Sequence, residues 1–174
     1  PVFKGGLEPI QPKLAMPQGA KNETGKNGYF PNGNFTFTET FTGSSLDYRW
    51  VGVRGAREGF ISTTAEGLTI TPYETNIKAA LPTSTLFYRQ QHLNFTATTT
   101  LKYIPRTEKD LAGITCYQSE KFNYVFGVTK KAEDSHIVLQ RTEKGESSTI
   151  ASEKIEGNTP ISLRVTAEGD KYTF

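Results

Sequence analysis

Apolar and polar residues alternate with a period of two along most of the chain, the signature of strands with one face buried. Phe35, Phe37 and Phe41 are interleaved with Thr36, Thr38 and Thr40, which predicts a half-buried strand. Phe60–Thr63 and Leu68–Thr71 are short β-forming runs on either side of Glu66-Gly67, a turn signal. Leu86–Gln91 is a further candidate strand. Phe95, Ala97, Thr99, Leu101 and Tyr103 then alternate without a break until Pro105. Leu111–Gln118 and Tyr124–Thr129 place Ile114, Cys116, Tyr124, Phe126 and Val128 on one face, and the polar segment Ser119–Asn123 joins them as a hairpin. His136–Arg141, Ser148–Ile155 and Ile161–Ala167 follow, with turns at Lys144-Gly145 and Gly157-Asn158. Glu168-Gly169-Asp170 forms a last turn before a strand at Lys171–Phe174. That strand reads as the first half of a hairpin whose partner lies beyond Phe174, because an unpaired final strand would leave an open sheet edge.

No window holds a 3.6-residue apolar period, and no repeat of 20 to 50 residues is present. Many short strands separated by turns predict an all-β sandwich or barrel. Residues Pro1–Asn34 differ from the rest: they contain six Gly and five Pro and few apolar side chains. They read as an extended leader preceding a sandwich at 35–174. A disordered tail is the competing reading. Val2, Phe3, Tyr29 and Phe30 are apolar points of attachment that a free tail would not need, which makes them candidates for contact with a neighbouring domain.

Charge changes the picture little. The net charge is +2, from 20 basic and 18 acidic residues spread along the chain. Neither nucleic acid nor an anionic membrane is favoured as a partner. No apolar run approaches the length of a membrane span. The lone cysteine, Cys116, excludes an intrachain disulfide and reads as a small buried hydrophobe. Two His and one Cys at these separations make no zinc site. Neither a phosphate-binding glycine loop nor a Gly-x-Ser-x-Gly elbow is present. No catalytic residue is assigned. Glu133-Asp134 and Glu168-Gly169-Asp170 carry hard oxygen donors that suit a structural calcium ion, and equally read as solvated turn charge. Asn22, Asn34 and Asn94 head glycosylation triplets, which matter only in a eukaryotic secretory pathway.

The aromatic residues are more informative. The chain has one Trp, eight Tyr and eleven Phe. Sugars bind by stacking on exposed rings beside planar hydrogen-bonding groups. In Tyr88-Arg89-Gln90-Gln91-His92, strand alternation would send Tyr88, Gln90 and His92 to one face. Phe87, Arg89 and Gln91 would go to the other face, and one of these faces is either a carbohydrate-binding groove or part of a buried network in which Arg89 meets a carboxylate. Trp50, between Arg49 and Val51 and near Arg54, is either a core ring or a stacking platform.

Three ordered segments carry a resemblance. They are Asp47–Gly55 with Leu68–Pro72, then Phe87–Ala97, then Asp110–Gln118 with Phe122–Tyr124. Together they resemble the C-terminal concanavalin A-like domain of glycoside hydrolase family 43 β-xylosidases and α-L-arabinofuranosidases. Pro1–Phe3 and Asn27–Gly33 are similar to the segment that leaves the catalytic domain in such enzymes. The resemblance implies a jelly-roll sandwich of two antiparallel sheets. Apart from the structural calcium ion considered above, no cofactor is expected. It implies an N-terminal five-bladed propeller as partner, which would carry the catalytic carboxylates, and a bacterial periplasmic or secreted location. The function it implies is that of a non-catalytic domain that packs on the propeller and helps shape its pocket. An independent module binding xylo-oligosaccharide or xylan is the alternative.

Overall fold

The computed structural model describes residues 36–55, 57–156 and 160–174. Contacts divide the chain into Pro1–Phe41 and Thr42–Phe174. In the first unit the described residues, 36–41, form no strand. The period-two pattern there is defeated locally. Phe41 adopts φ 57°, and its N–H donates to Glu39 Oε1 at 2.8 Å, a tight turn that an extended strand cannot contain. Phe35, Val2, Phe3, Tyr29 and Phe30 lie outside the described residues, as does the Gly157-Asn158 turn.

Among the described residues of the second unit, the regular structure is β apart from one 3-10 turn at Arg57–Gly59. Its strands are β1 (Trp50–Gly52), β2 (Ile61–Thr64), β3 (Gly67–Ile70), β4 (Leu86–Tyr88), β5 (Asn94–Leu101), β6 (Leu111–Ser119), β7 (Phe122–Lys131), β8 (Asp134–Glu143), β9 (Glu146–Lys154), β10 (Ile161–Glu168) and β11 (Lys171–Thr173). All pairings are antiparallel. The sheets run β6-β7-β8-β9 and β11-β10-β5, with two-stranded ladders β1-β4 and β2-β3. No helix among the described residues is long and apolar enough to cross a membrane.

The register explains the core. On β10, Leu163, Val165 and Ala167 are buried, and they pair with Thr99, Ala97 and Phe95 of β5. The alternate positions Thr96, Thr98, Thr100, Ser162 and Arg164 are exposed. On the four-stranded sheet, Ile114, Cys116, Tyr124, Phe126 and Val128 share one face, as their pairing with Phe126, Tyr124 and Ile137 requires. The Phe174 ring meets Tyr124 at 5.6 Å and Phe126 at 5.8 Å, so this face looks onto the three-stranded sheet. The opposite face receives β4, through Phe87 against Tyr117 at 5.2 Å. The result is a sandwich of antiparallel sheets with a smaller ladder on its outer side.

One turn and one close strand approach are built as their sequences require. Lys144 (φ 53°) and Gly145 (φ 89°) both take left-handed conformations between β8 and β9, the two-residue geometry that matches strand twist. Gly113 and Gly127 face one another in the β6–β7 register. A Cβ added to Gly113 would lie 2.1 Å from the Phe126 carbonyl oxygen, so the two backbones approach too closely for a side chain.

Two expectations are corrected. The strand expected over Leu86–Gln91 stops at Tyr88, because β1 supplies partners only for Leu86, Phe87 and Tyr88. Lys171–Thr173 is the second half of a hairpin, not the first: it pairs with β10 across the Gly169-Asp170 turn and stands at the edge of its sheet.

Candidate interaction site

The residues that sequence reasoning favoured gather where β1 and β4 leave their ladder. Trp50 pairs with Tyr88, and the two rings meet edge-on with centroids 5.2 Å apart. Arg49 stands over the Tyr88 ring, its Cζ 5.9 Å from the centroid, a cation–π arrangement. Tyr88 therefore lies under a guanidinium and makes a T-shaped contact with an indole.

The turn before β1 holds this arrangement in place. The Asp47 carboxylate accepts bonds from the Arg49 backbone N–H at 2.9 Å and from Arg49 Nε and Nη2 at 2.8 Å each. This is a bidentate fork closed on a residue two positions away. The Arg49 side-chain bond to Asp47 is the main reason its carboxyl lies below the usual carboxylate range, and the same bond raises the guanidinium. From the 3-10 turn, Arg57 Nη1 donates to the carbonyls of Asp47 at 2.6 Å and of Trp50, while Nη2 donates to that of Leu46 at 3.2 Å. Trp50 N–H closes the turn onto the Asp47 carbonyl at 3.1 Å. Arg54, just past β1, reaches Glu120 Oε2 at 2.9 Å and the Ala79 carbonyl at 3.2 Å, tying this corner to the β6–β7 turn.

Past Tyr88 the backbone leaves the strand, so Tyr88, Gln90 and His92 do not form the single strand face that alternation predicts. Gln90 is exposed, and its amide is engaged: Nε2 donates to the His92 carbonyl at 2.8 Å, and Oε1 accepts from the Tyr172 hydroxyl at 3.0 Å. His92 is half-buried. Arg89 is exposed and belongs to none of the ion pairs among the described residues, which overturns the buried Arg89–carboxylate network. Sequence reasoning missed Arg57, Asp47 and Tyr172. Asp47-x-Arg49 carried a usable signal, since that spacing suits a local carboxylate–guanidinium fork. Arg57 carried none, because its partners are backbone carbonyls.

Other chemistry-bearing groups sit apart. Cys116 is half-buried on the sandwich's inner face, and burial pushes its thiol up to about 11. His136 lies on the opposite face, where Ser152 Oγ contacts its Nδ1 at 3.3 Å and accepts from Lys131 Nζ at 2.6 Å. The acidic residues of the β7–β8 turn, which calcium would need, are paired: Glu133 with Lys130 at 3.3 Å and Asp134 with Lys154 at 2.8 Å. No cluster of three or more potential metal ligands occurs among the described residues. A cleft beside β10 and β11 is lined by Ser162, Arg164, Thr166, Thr173 and Phe174.

Comparison with known families places this architecture. Residues 38–174 match the model of the β-xylosidase C-terminal concanavalin A-like domain. The chain belongs to this family. Among solved structures, the domain is similar to a GH43_12 protein retrieved from a capybara gut metagenome, with 44% identity and a TM-score of 0.79. That match covers 90% of this chain and 31% of the other. A Bacteroides ovatus GH43B protein from a xyloglucan utilisation locus matches at 22% identity and TM-score 0.74, over 83% of this chain and 30% of that one. The Bacillus licheniformis GH43 protein BlXynB matches at 20% identity and TM-score 0.70, over 78% and 27%. The last two establish the fold alone. No curated protein matches the domain. The concanavalin A-like domain thus spans about a third of the length of the structures it resembles, and it is a C-terminal domain of family 43 glycoside hydrolases.

Proposed function

We propose that this concanavalin A-like domain is the non-catalytic accessory part of a β-xylosidase or α-L-arabinofuranosidase. It packs on an N-terminal five-bladed propeller and helps shape the pocket in which that propeller cleaves xylan-derived chain ends. One observation carries the reading: the polar and aromatic groups best suited to hold a sugar are already used inside the domain. Tyr88 is covered by Arg49 and Trp50, and the Gln90 amide is bonded through both its nitrogen and its oxygen. Opening them to a glycan would break bonds whose net worth is about 1 kcal/mol each. The names of the matched structures agree with a role within family 43 enzymes.

Calorimetric titration of the isolated domain with xylo-oligosaccharides tests this, beside co-purification with a separately produced catalytic portion. The reading expects a stable complex with the catalytic portion and no heat of binding with the sugars up to millimolar concentration. Saturable sugar binding without complex formation would replace it with an independent carbohydrate-binding module.

A further inference from the structure

Among the described residues, the half-buried Lys and Arg side chains are Arg49, Arg57, Lys130 and Lys131. A cation drawn out of water ordinarily brings a carboxylate with it. Arg49 has Asp47, Arg57 has Glu58 and Lys130 has Glu133. Lys131 belongs to none of the ion pairs among the described residues. Its Nζ donates instead to a neutral hydroxyl, Ser152 Oγ, at 2.6 Å. Asp134 stands across from Lys131 in the β7–β8 register, yet its Oδ2 is turned to Lys154 Nζ at 2.8 Å. The Lys131 charge is thus left without a counter-ion from the described part of the domain.

Lys131 is one member of a small cluster on the sheet face away from Val128 and Phe126. His136 and Ser152 share that face and are half-buried, and Ser152 Oγ is 3.3 Å from His136 Nδ1. Ser152 already accepts from an ammonium group, so its own proton goes to Nδ1, and the ring carries its hydrogen on Nε2. Toward solvent the cluster then offers donors: the remaining N–H groups of Lys131 and the Nε2–H of His136. The neighbouring charges are engaged elsewhere. Asp134 and Lys154 hold one another, and Glu108 Oε1 accepts from the Ala132 N–H at 2.9 Å.

A charged donor and a ring N–H set side by side, partly shielded from water, recognise an oxyanion. We infer that Lys131, His136 and Ser152 form a carboxylate-binding site whose ligand is a uronic acid unit of an acidic polysaccharide. The choice of a sugar carboxylate rests on the accessory reading, because a domain of a glycan-cleaving enzyme works among polysaccharide chains. One carboxylate oxygen takes a bond from Lys131 Nζ and the other from His136 Nε2, while Ser152 keeps the two donors together. Neutral xylo-oligosaccharides carry no group for this site, so their failure to bind, expected above, is unaffected.

The test is titration of the chain with D-glucuronate, followed at the His136 ring nitrogens by NMR, with D-glucose and sodium sulfate as comparison ligands at constant ionic strength. Glucuronate should shift the His136 signals saturably, with a dissociation constant of about 1–10 mM, as two charge-assisted bonds at an open site allow. Glucose should leave the signals unmoved. Lys131→Gln should weaken binding about ten-fold or more. Asp134→Asn removes the acid across from Lys131 and releases Lys154, so it should strengthen binding about two-fold.

The site is overturned if glucuronate gives no saturable shift, or if a folded Lys131→Gln binds like the parent. Should Lys131→Gln fail to fold, Asp134→Asn decides, and an affinity no higher than the parent's overturns the site. Sulfate bound as tightly as glucuronate at the same signals would overturn the sugar ligand and leave an unselective oxyanion site. None of these results touches complex formation with the catalytic portion, on which the accessory reading stands or falls, so the two failures are distinguishable.

Discussion

Replacing Gly113 with alanine tests how tightly the four-stranded sheet is assembled. The new Cβ would lie 2.1 Å from the Phe126 carbonyl oxygen and 2.4 Å from the Gly127 Cα. Both obstacles are backbone atoms of β7, which is bonded along its length to β6 and to β8, so neither can rotate away. Relief requires the two strands to part by about 1 Å, and overpacking of a well-packed site typically costs 1–3 kcal/mol. Because the obstacle here is main chain, the upper end applies: about 3 kcal/mol, or a melting point lowered by about 10 °C for a domain of this size. Gly127→Ala meets the Ala112 carbonyl oxygen at 2.3 Å and Gly113 Cα at 2.9 Å, which is the same crowding approached from the other side. Once one methyl has opened the gap, the second enters more easily, so the double variant should be less destabilised than the sum of the singles. Gly43→Ala is the control, since its nearest neighbour would be 3.5 Å away and its effect should stay within about 0.5 kcal/mol. Urea unfolding followed by near-ultraviolet circular dichroism reads all four variants. A Gly113→Ala midpoint equal to that of the parent, or strict additivity in the double variant, would refute the argument.

Other outcomes follow from the same structure. Leu163→Ala, at a side chain with no exposed surface on β10, should cost about 2–5 kcal/mol in urea unfolding, and a cost below about 1 kcal/mol would contradict its place in the core. Asp47 has a folded pKa below its unfolded value of about 3.9, so its contribution to stability is complete above that value and is lost as pH falls through the folded pKa. Melting curves of the parent and Asp47→Asn should therefore differ at neutral pH and converge in acid; parallel curves down to the lowest pH would remove Asp47 from the account. The Cys116 thiol, pushed up to about 11 by burial, should react slowly with a disulfide reagent at pH 8 and promptly after unfolding, so fast labelling of the folded domain would contradict its environment.

The sandwich was legible where one face of a strand is buried and the other is wet. Ile161, Leu163, Val165 and Ala167 on β10, and Phe95, Ala97, Thr99 and Leu101 on β5, show this as plain alternation, and their pairing follows it residue by residue. Alternation failed where a local side-chain bond competes with extension, as Glu39 does for the Phe41 N–H. It also failed at Arg89–Gln91, where the polar run continues after the partner strand has ended. β1 is too short, at three residues, to display a period. The β10–β11 hairpin was readable from Gly169-Asp170, a two-residue turn that folds the chain back on the strand before it. Trp50 and Tyr88 were found through their chemistry. The scaffold beneath them was not, because backbone carbonyls have no letter in the sequence.

Three backbone carbonyls converging from Leu46, Asp47 and Trp50 make the kind of oxygen cage in which loops elsewhere trap a hard cation. Here the positive charge is the Arg57 guanidinium, carried on the same chain. It cannot dissociate, be chelated or be outcompeted by another ion, because it is covalently part of the chain. The shape of this corner is thus inherited with the gene and is independent of the mineral content of the surroundings.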